Sequence, residues 1–174
     1  MEYTTAEMPY FIKPSLNFSD KEKVEAYDTA LSFIDALLEG EKDTILKMSS
    51  INSILKSHLP YYYWVGFYMV NNGRLSVGPY QGTLGCLHIE FGKGVCGAVA
   101  QSKETKIVDD VHILSQGTEH IACDSNSKSE IVVPVFDTNK DLIAVFDVDS
   151  TLTHSFNEVD QSYLETIMKR SFEQ

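Results

Sequence analysis

"SEIVVPVFDTNKDLIAVFDVDS", residues 129–150, consists of two apolar runs that favour β-structure, separated by the polar turn TNKD. Runs of this length around a short polar turn predict an antiparallel hairpin. A second hairpin is predicted upstream, because the aromatic run YYYWVGFYMV is followed by an Asn72-Gly73 turn and by RLSVGPYQG. Together the two hairpins predict a largely antiparallel sheet.

Helical patterns surround these hairpins. Apolar residues recur at helical spacing after Ser19 or Asp20, and a second helix is predicted to end before Pro60. Between the hairpins, the sequence predicts a short helix entered through glycines in EFGKGVCGAVAQSKE, a strand in TKIVDDV and a long polar loop. A capping box formed by Ser155 and Glu158 predicts a C-terminal helix.

This pattern predicts a single α+β domain over residues 1–174, a largely antiparallel central β-sheet with N- and C-terminal helices packed on it. Within it we expect an irregular N-terminal arm at 1–18 and the N-terminal helices at 19–59. The sheet, the active-site loops and the C-terminal helix are expected at 60–174.

Charge and hydropathy exclude several classes of function. The chain carries 14 Lys and Arg residues against 25 Asp and Glu residues, a net charge of -11 that repels a phosphate backbone. This balance argues against a nucleic-acid partner. No stretch has the length and apolar character of a membrane span, and the N-terminus lacks the pattern of a signal peptide. We therefore expect a soluble cytoplasmic protein, with nuclear or organellar residence left open.

Carboxylates lie in an otherwise apolar strand of the second hairpin. Asp147 and Asp149 point to one face of LIAVFDVDS, and Glu130 on the partner strand is expected to share it. Trp64 and Tyr68 share a face of the first hairpin and offer an aromatic wall. Each feature alone is more often ordinary core or a solvated sheet end. Together they predict a pocket for a small molecule that carries a positive charge.

The three cysteines allow two kinds of chemistry. Cys96 lies among apolar residues and is expected to be a small buried hydrophobe. Cys123 lies in a polar loop, where a reactive thiolate could form, and Cys86 could act as its resolving thiol. The alternative is a zinc site built from Cys86, His88, His120 and Cys123, although their spacing does not match a standard zinc motif. We favour thiol chemistry and expect no metal.

Six motifs in order carry a resemblance: GPYQG, IEFGKGVCG, VDDVH, HIACDS, KSEIVVPVFD and VFDVDS. They resemble those of the GAF-domain free methionine-(R)-sulfoxide reductases over residues 60–165. The resemblance implies a GAF-like fold. It also implies a thioredoxin-dependent oxidoreductase, active in oxidative stress, that reduces free L-methionine-(R)-sulfoxide to L-methionine.

The resemblance further implies a role for each matched residue. Cys123 matches the catalytic nucleophile, Cys86 the main resolving cysteine and Cys96 an auxiliary one. The residues that match the substrate-binding side chains are Trp64, Tyr68, Glu130, Asp147 and Asp149. A sulfenic acid and then an intramolecular disulfide are implied. No bound cofactor is expected, since thioredoxin or dithiothreitol supplies the electrons. The N-terminal arm and first helix are expected to form a homodimer contact.

One segment departs from the family pattern. The link ILSQGTE between the DVH and HIACD motifs is longer than is usual in these reductases, and it should position Cys123. The competing hypothesis from another class is a non-catalytic GAF domain that senses a small molecule. The absence of an attached output domain in 174 residues weakens that hypothesis.

Overall fold

The computed structural model describes residues 16–114 and 124–174. The elements are, in chain order, α1 (Asp20–Leu37), α2 (Thr44–His58), β1 (Trp64–Asn71), β2 (Arg74–Gln81), β3 (His88–Glu90), α3 (Gly94–Ser102), β4 (Lys106–Val108), α4 (Val111–Leu114), β5 (Ser129–Phe136), β6 (Leu142–Ser150) and α5 (Glu158–Phe172). None of the helices in the described ranges combines the length and apolar character that crossing a bilayer requires. The predicted N-terminal arm lies almost wholly outside the described residues.

The six strands form one sheet in the order β3-β2-β1-β6-β5-β4, with every neighbouring pair antiparallel. Both predicted hairpins are confirmed. The first turns at Asn72 and Gly73, which both have positive φ (51° and 80°), as a tight two-residue hairpin turn requires. The edge strand β3 was not predicted, because three residues are too few to show an alternating pattern.

Helices cover one face of the sheet. Helices α1, α2 and α5 pack their buried side chains against the residues of β1, β5 and β6 that point to this face, and together they form the larger hydrophobic core. The opposite face is covered by α3 and by the segments around it, which form a second, smaller core. Trp64, Tyr68 and Val145 belong to this second core, so the predicted site lies on the face opposite the long helices.

The predicted cap of the C-terminal helix is wrong by two residues. The capping box is formed by Asn157 and Asp160: Asn157 Oδ1 accepts from the Val159 N–H (3.0 Å), and Asp160 Oδ2 accepts from the Asn157 N–H (2.9 Å). Ser155 is buried instead, and its hydroxyl donates to Asn17 Oδ1 at 2.7 Å. The sequence pattern alone could not distinguish two overlapping polar pairs.

Asp160 also joins α1 to α5 through a buried ion pair. Lys23 Nζ lies 2.5 Å from Asp160 Oδ2, and both side chains are almost completely buried. The hydroxyls of Tyr27 and Tyr61 donate to the other carboxylate oxygen at 2.8 and 2.5 Å. A buried ion pair whose remaining oxygens are hydrogen-bonded is tolerated in a core. This network fixes the two terminal helices against the start of β1.

Candidate active site

Strand pairing brings the predicted acids together. Glu130 on β5 lies directly opposite Asp149 on β6, and Asp149 lies opposite Trp64 on β1. Asp147, two residues before Asp149, lies opposite Gly66 of β1. The sheet therefore places all three carboxylates on the face that carries Trp64, as the alternation of strand residues predicted.

An aromatic wall stands beside the acids. Trp64 stacks on Tyr68 and on Tyr80, with ring centroids 5.6 and 5.2 Å apart and interplanar angles of 19° and 17°. The indole Nε1 of Trp64 donates to the Thr83 carbonyl at 3.0 Å, which fixes the ring. Gly66 makes this packing possible, since a Cβ there would lie 2.3 Å from Tyr80 Cβ. Sequence reasoning missed Tyr80, although it lies in the GPYQG motif.

Burial shifts the protonation of the three acids. Glu130 and Asp147 are 7% and 5% exposed, and burial together with the neighbouring carboxylates raises the pKa of each well above its usual value. Burial raises the pKa of Asp149 to about 7, against the opposing effect of a hydrogen bond from Ser127. Asp147 Oδ1 has no hydrogen-bond partner among the described residues. The site therefore combines carboxyl groups that can hold a proton with an acceptor that is free to bind a ligand.

Two of the three cysteines lie in the described residues. Cys96 on α3 is a buried free thiol, hydrogen-bonded to Asp147. Burial and the neighbouring carboxylate of Asp147 raise the pKa of this thiol well above its usual value. Cys86, half-buried between β2 and β3, is disulfide-bonded. Cys123, the predicted nucleophile, lies outside the described residues.

Of the alternative zinc set, only Cys86 and His88 are described, because His120 and Cys123 lie outside the described residues. His88 is exposed, and its Nδ1 lies 3.0 Å from Ser76 Oγ. The structure instead groups a different set of metal-type donors, Cys96, Glu130 and Asp147, whose ligand atoms lie within 4.8 Å of one another.

Asp124, which directly follows Cys123 in the sequence, is anchored to the segment that connects β2 to β3 (residues 82–87), here called the Cys86 segment. Its Oδ2 accepts from Thr83 Oγ1 at 2.6 Å and from the Tyr63 hydroxyl at 3.0 Å. Its Oδ1 accepts from the Asn126 N–H at 2.8 Å. Partial burial opposes ionisation of Asp124, but these hydrogen bonds outweigh it and lower its pKa. Sequence reasoning missed this anchor, since nothing in the sequence pairs Thr83 with Asp124.

The Cys86 segment is fixed from the other side as well. The Tyr68 hydroxyl is hydrogen-bonded to the Cys86 backbone. Gly85 allows this approach, because a Cβ there would lie 2.9 Å from the Tyr68 hydroxyl oxygen. The aromatic wall thus holds the predicted resolving cysteine in place next to the acids.

These groups line one small cavity. Its lining residues are Trp64, Tyr68, Leu84, Gly85, Ile89, Lys93, Gly94, Val95, Cys96, Val111, Asp124, Ser127, Glu130, Asp147 and Asp149. Four carboxyl groups and one lysine line the cavity, so oxygen atoms that can accept hydrogen bonds from an ammonium outnumber the cationic groups. A small molecule with an ammonium at one end and an apolar group at the other matches this distribution.

A family profile, related sequences and solved structures all match this chain over most of its length. The sequence profile of the GAF domain matches residues 58–169. The chain is 41% identical over 155 residues to GAF domain-containing protein A of Dictyostelium discoideum, covering 88% of this chain and 95% of that protein. It is 36% identical over 158 residues to the free methionine-R-sulfoxide reductase of Saccharomyces cerevisiae, covering 87% of this chain and 86% of that protein. The structure of reduced fRMsr of Staphylococcus aureus is similar, with a TM-score of 0.78 and 41% identity over 84% of this chain and 93% of that chain.

Proposed function

The chain belongs to the GAF-domain family of free methionine-R-sulfoxide reductases, and we propose that it reduces free L-methionine-(R)-sulfoxide to L-methionine with its own thiols. The observation that carries this proposal is the convergence of Glu130, Asp147 and Asp149 on a cavity walled by stacked aromatic rings. The Cys86 backbone is hydrogen-bonded to that wall. The segment that carries the proposed resolving cysteine is thus hydrogen-bonded to the wall of the proposed recognition site.

The acids account for the choice of a free amino acid. A free methionine sulfoxide carries an ammonium group, which carboxylates bind, whereas a methionine within a peptide has no such charge. The side chain that carries the sulfoxide then packs on Trp64 and Tyr68. In this proposal the Asp149 carboxylate and Asp147 Oδ1, which has no hydrogen-bond partner among the described residues, accept hydrogen bonds from the ammonium. Glu130, whose pKa burial raises, carries a proton that it can donate.

The proposed reaction has three steps. The Cys123 thiolate attacks the sulfoxide sulfur while a carboxylic acid protonates the sulfoxide oxygen; the oxygen passes to Cys123 as a sulfenic acid, and methionine leaves. The Cys86 thiol then attacks the sulfenic sulfur, which forms a disulfide and releases water. An external dithiol reduces this disulfide by exchange and is itself oxidised. Cys96 has the role of an auxiliary thiol, since burial keeps it protonated.

The hydrogen bonds of Asp124 support the second step. They tie the residue after Cys123 to Thr83, three residues before Cys86. Holding both cysteine-bearing segments on one framework favours their reaction over that of either thiol with solvent oxidants. In the structure Cys86 is disulfide-bonded, which is consistent with a redox role for this residue.

The remaining parts of the proposal follow from the family. Thioredoxin is the proposed external reductant, and the cytoplasm, where thiols are kept reduced, is the proposed compartment. The proposed role is defence against oxidative stress. A homodimer formed through the N-terminal arm and α1 is also proposed, and Phe33 and Leu37 on α1 leave 56% and 62% of their surfaces exposed for such a contact.

The experiment measures methionine released from free methionine-(R)-sulfoxide, the S epimer and N-acetylated methionine-(R)-sulfoxide, with dithiothreitol as reductant. We expect turnover of the free R epimer only, and loss of turnover in Cys123→Ser. The control variant Asp141→Asn, at an exposed position on the hairpin that carries Glu130, Asp147 and Asp149, should keep full activity. Full activity of Cys123→Ser would refute the mechanism. Saturable binding of the sulfoxide without turnover by the wild-type protein would instead identify a sensor.

A further inference from the structure

Three donors of the cavity form an arrangement that the proposed reaction does not fully explain. The Cys96 sulfur and one carboxylate oxygen each from Glu130 and Asp147 lie within 4.8 Å of one another, and all three residues are buried. They come from three different elements, α3, β5 and β6, so tertiary packing brings them together. We propose that these three side chains bind a thiophilic divalent cation such as Zn²⁺, which occupies the cavity in place of the substrate.

The unpartnered oxygen of Asp147 points to a ligand independently of the cluster. Asp147 is 5% exposed and lines the cavity, yet its Oδ1 has no hydrogen-bond partner among the described residues. A buried carboxylate oxygen without a partner is costly unless a ligand supplies one. A cation bound at this oxygen would supply that missing partner and would also attract Glu130 and Asp149.

The donor types select the class of metal. Zinc binds deprotonated cysteine and carboxyl side chains in a tetrahedral arrangement, so the ion would displace the protons of Cys96, Glu130 and Asp147, and three protein ligands leave one position for water. Magnesium and calcium require six or more oxygen ligands and disfavour sulfur. Tetrahedral zinc places its ligand atoms about 3.4–3.7 Å apart. The present spacing, within 4.8 Å, exceeds this range by at most about 1.4 Å, so the three donor atoms must move closer together when the ion binds.

The consequence is inhibition. In the proposed function, Asp147 and Glu130 serve the substrate, so an ion bound between them excludes the ammonium of the amino acid. Only this consequence rests on the proposed function. The binding of the ion itself depends on the three donors alone. The fraction of the protein that holds an ion would rise with the concentration of thiophilic metal around the protein.

The test isolates Cys96. The double variant Cys86→Ser/Cys123→Ser leaves Cys96 as the single cysteine of the chain. We expect titration of this variant with Cd²⁺ to produce the ultraviolet charge-transfer absorption of a cadmium–thiolate bond, saturating at one ion per chain. Adding Cys96→Ser should abolish this absorption. Adding Asp147→Asn should weaken the affinity at least tenfold, while Asp141→Asn should leave it unchanged.

Two outcomes would overturn the inference. One is the absence of cadmium–thiolate absorption in the double variant when circular dichroism shows that it is folded. The other is unchanged affinity in the folded Asp147→Asn variant. Because the double variant lacks both Cys86 and Cys123, neither result depends on turnover. Failure of the proposed function would appear separately, as a wild-type protein that releases no methionine.

Discussion

The hydrogen bond between Thr83 and Asp124 gives the sharpest prediction about the site. Thr83 is 5% exposed, and its hydroxyl donates to a carboxylate at 2.6 Å. A hydrogen bond to an ionised group contributes about 1.5–3 kcal/mol. Thr83→Val removes the donor and keeps the shape of the side chain. Because Tyr63 still donates to the same oxygen, we expect the low end of this range, about 1.5 kcal/mol.

A double-mutant cycle measures this contribution. Thr83→Val, Asp124→Ala and the double variant are unfolded with denaturant, and we expect a coupling free energy of about 1.5 kcal/mol, equivalent to about a tenfold change in an equilibrium constant. Hydrogen exchange at the Asn126 amide, which donates to Asp124 Oδ1, should lose protection by up to the same factor in Thr83→Val. The rate of disulfide formation after a single turnover should fall in the same variant.

A matched control separates this effect from a general cost of losing a hydroxyl. Thr166 donates to the Ser162 carbonyl on the exposed side of α5, so Thr166→Val should leave the Asn126 amide protected. A coupling free energy below about 0.5 kcal/mol, typical of exposed pairs, would refute the reasoning. It would mean that Asp124 does not tie the two cysteine-bearing segments together.

Three further predictions concern the framework and the substrate. Asp160→Asn leaves the buried Lys23 ammonium uncompensated and should lower the free energy of unfolding by about 3–5 kcal/mol in denaturant titrations; a loss under about 1 kcal/mol would contradict it. Gly66→Ala forces a Cβ to within 2.3 Å of Tyr80 Cβ and should lower the free energy of unfolding by about 1–3 kcal/mol in the same denaturant titration. An unchanged midpoint of unfolding would show that the stacked rings of Trp64 and Tyr80 can move to accept the extra methyl group. Asp149→Asn should raise KM for the free sulfoxide at least tenfold, an effect of about 1.4 kcal/mol, with melting unchanged; an unaltered KM would remove Asp149 from the substrate site.

Much of the fold could be predicted from local signals. The Asn72-Gly73 turn, the Ser19 cap and the apolar runs of the second hairpin each act over a few residues, and the structure confirms the elements that they predicted. Strand alternation also placed the three acids on the face of Trp64. The edge strand β3 and the cap at Asn157 were missed because their signals are short or ambiguous.

The sequence alone determined the identities of the acids, aromatics and cysteines and the sheet face to which the acids belong, because side-chain direction in a strand alternates with a period of two. Only the tertiary structure decided which groups meet. The contacts of Asp124 with Thr83 and of Cys96 with Asp147 join residues 41 and 51 positions apart, on segments with no local reason to associate. Their protonation depends on burial by the whole fold. The raised pKa of Cys96, and an Asp147 oxygen without a hydrogen-bond partner among the described residues, therefore emerge only from the packed cavity.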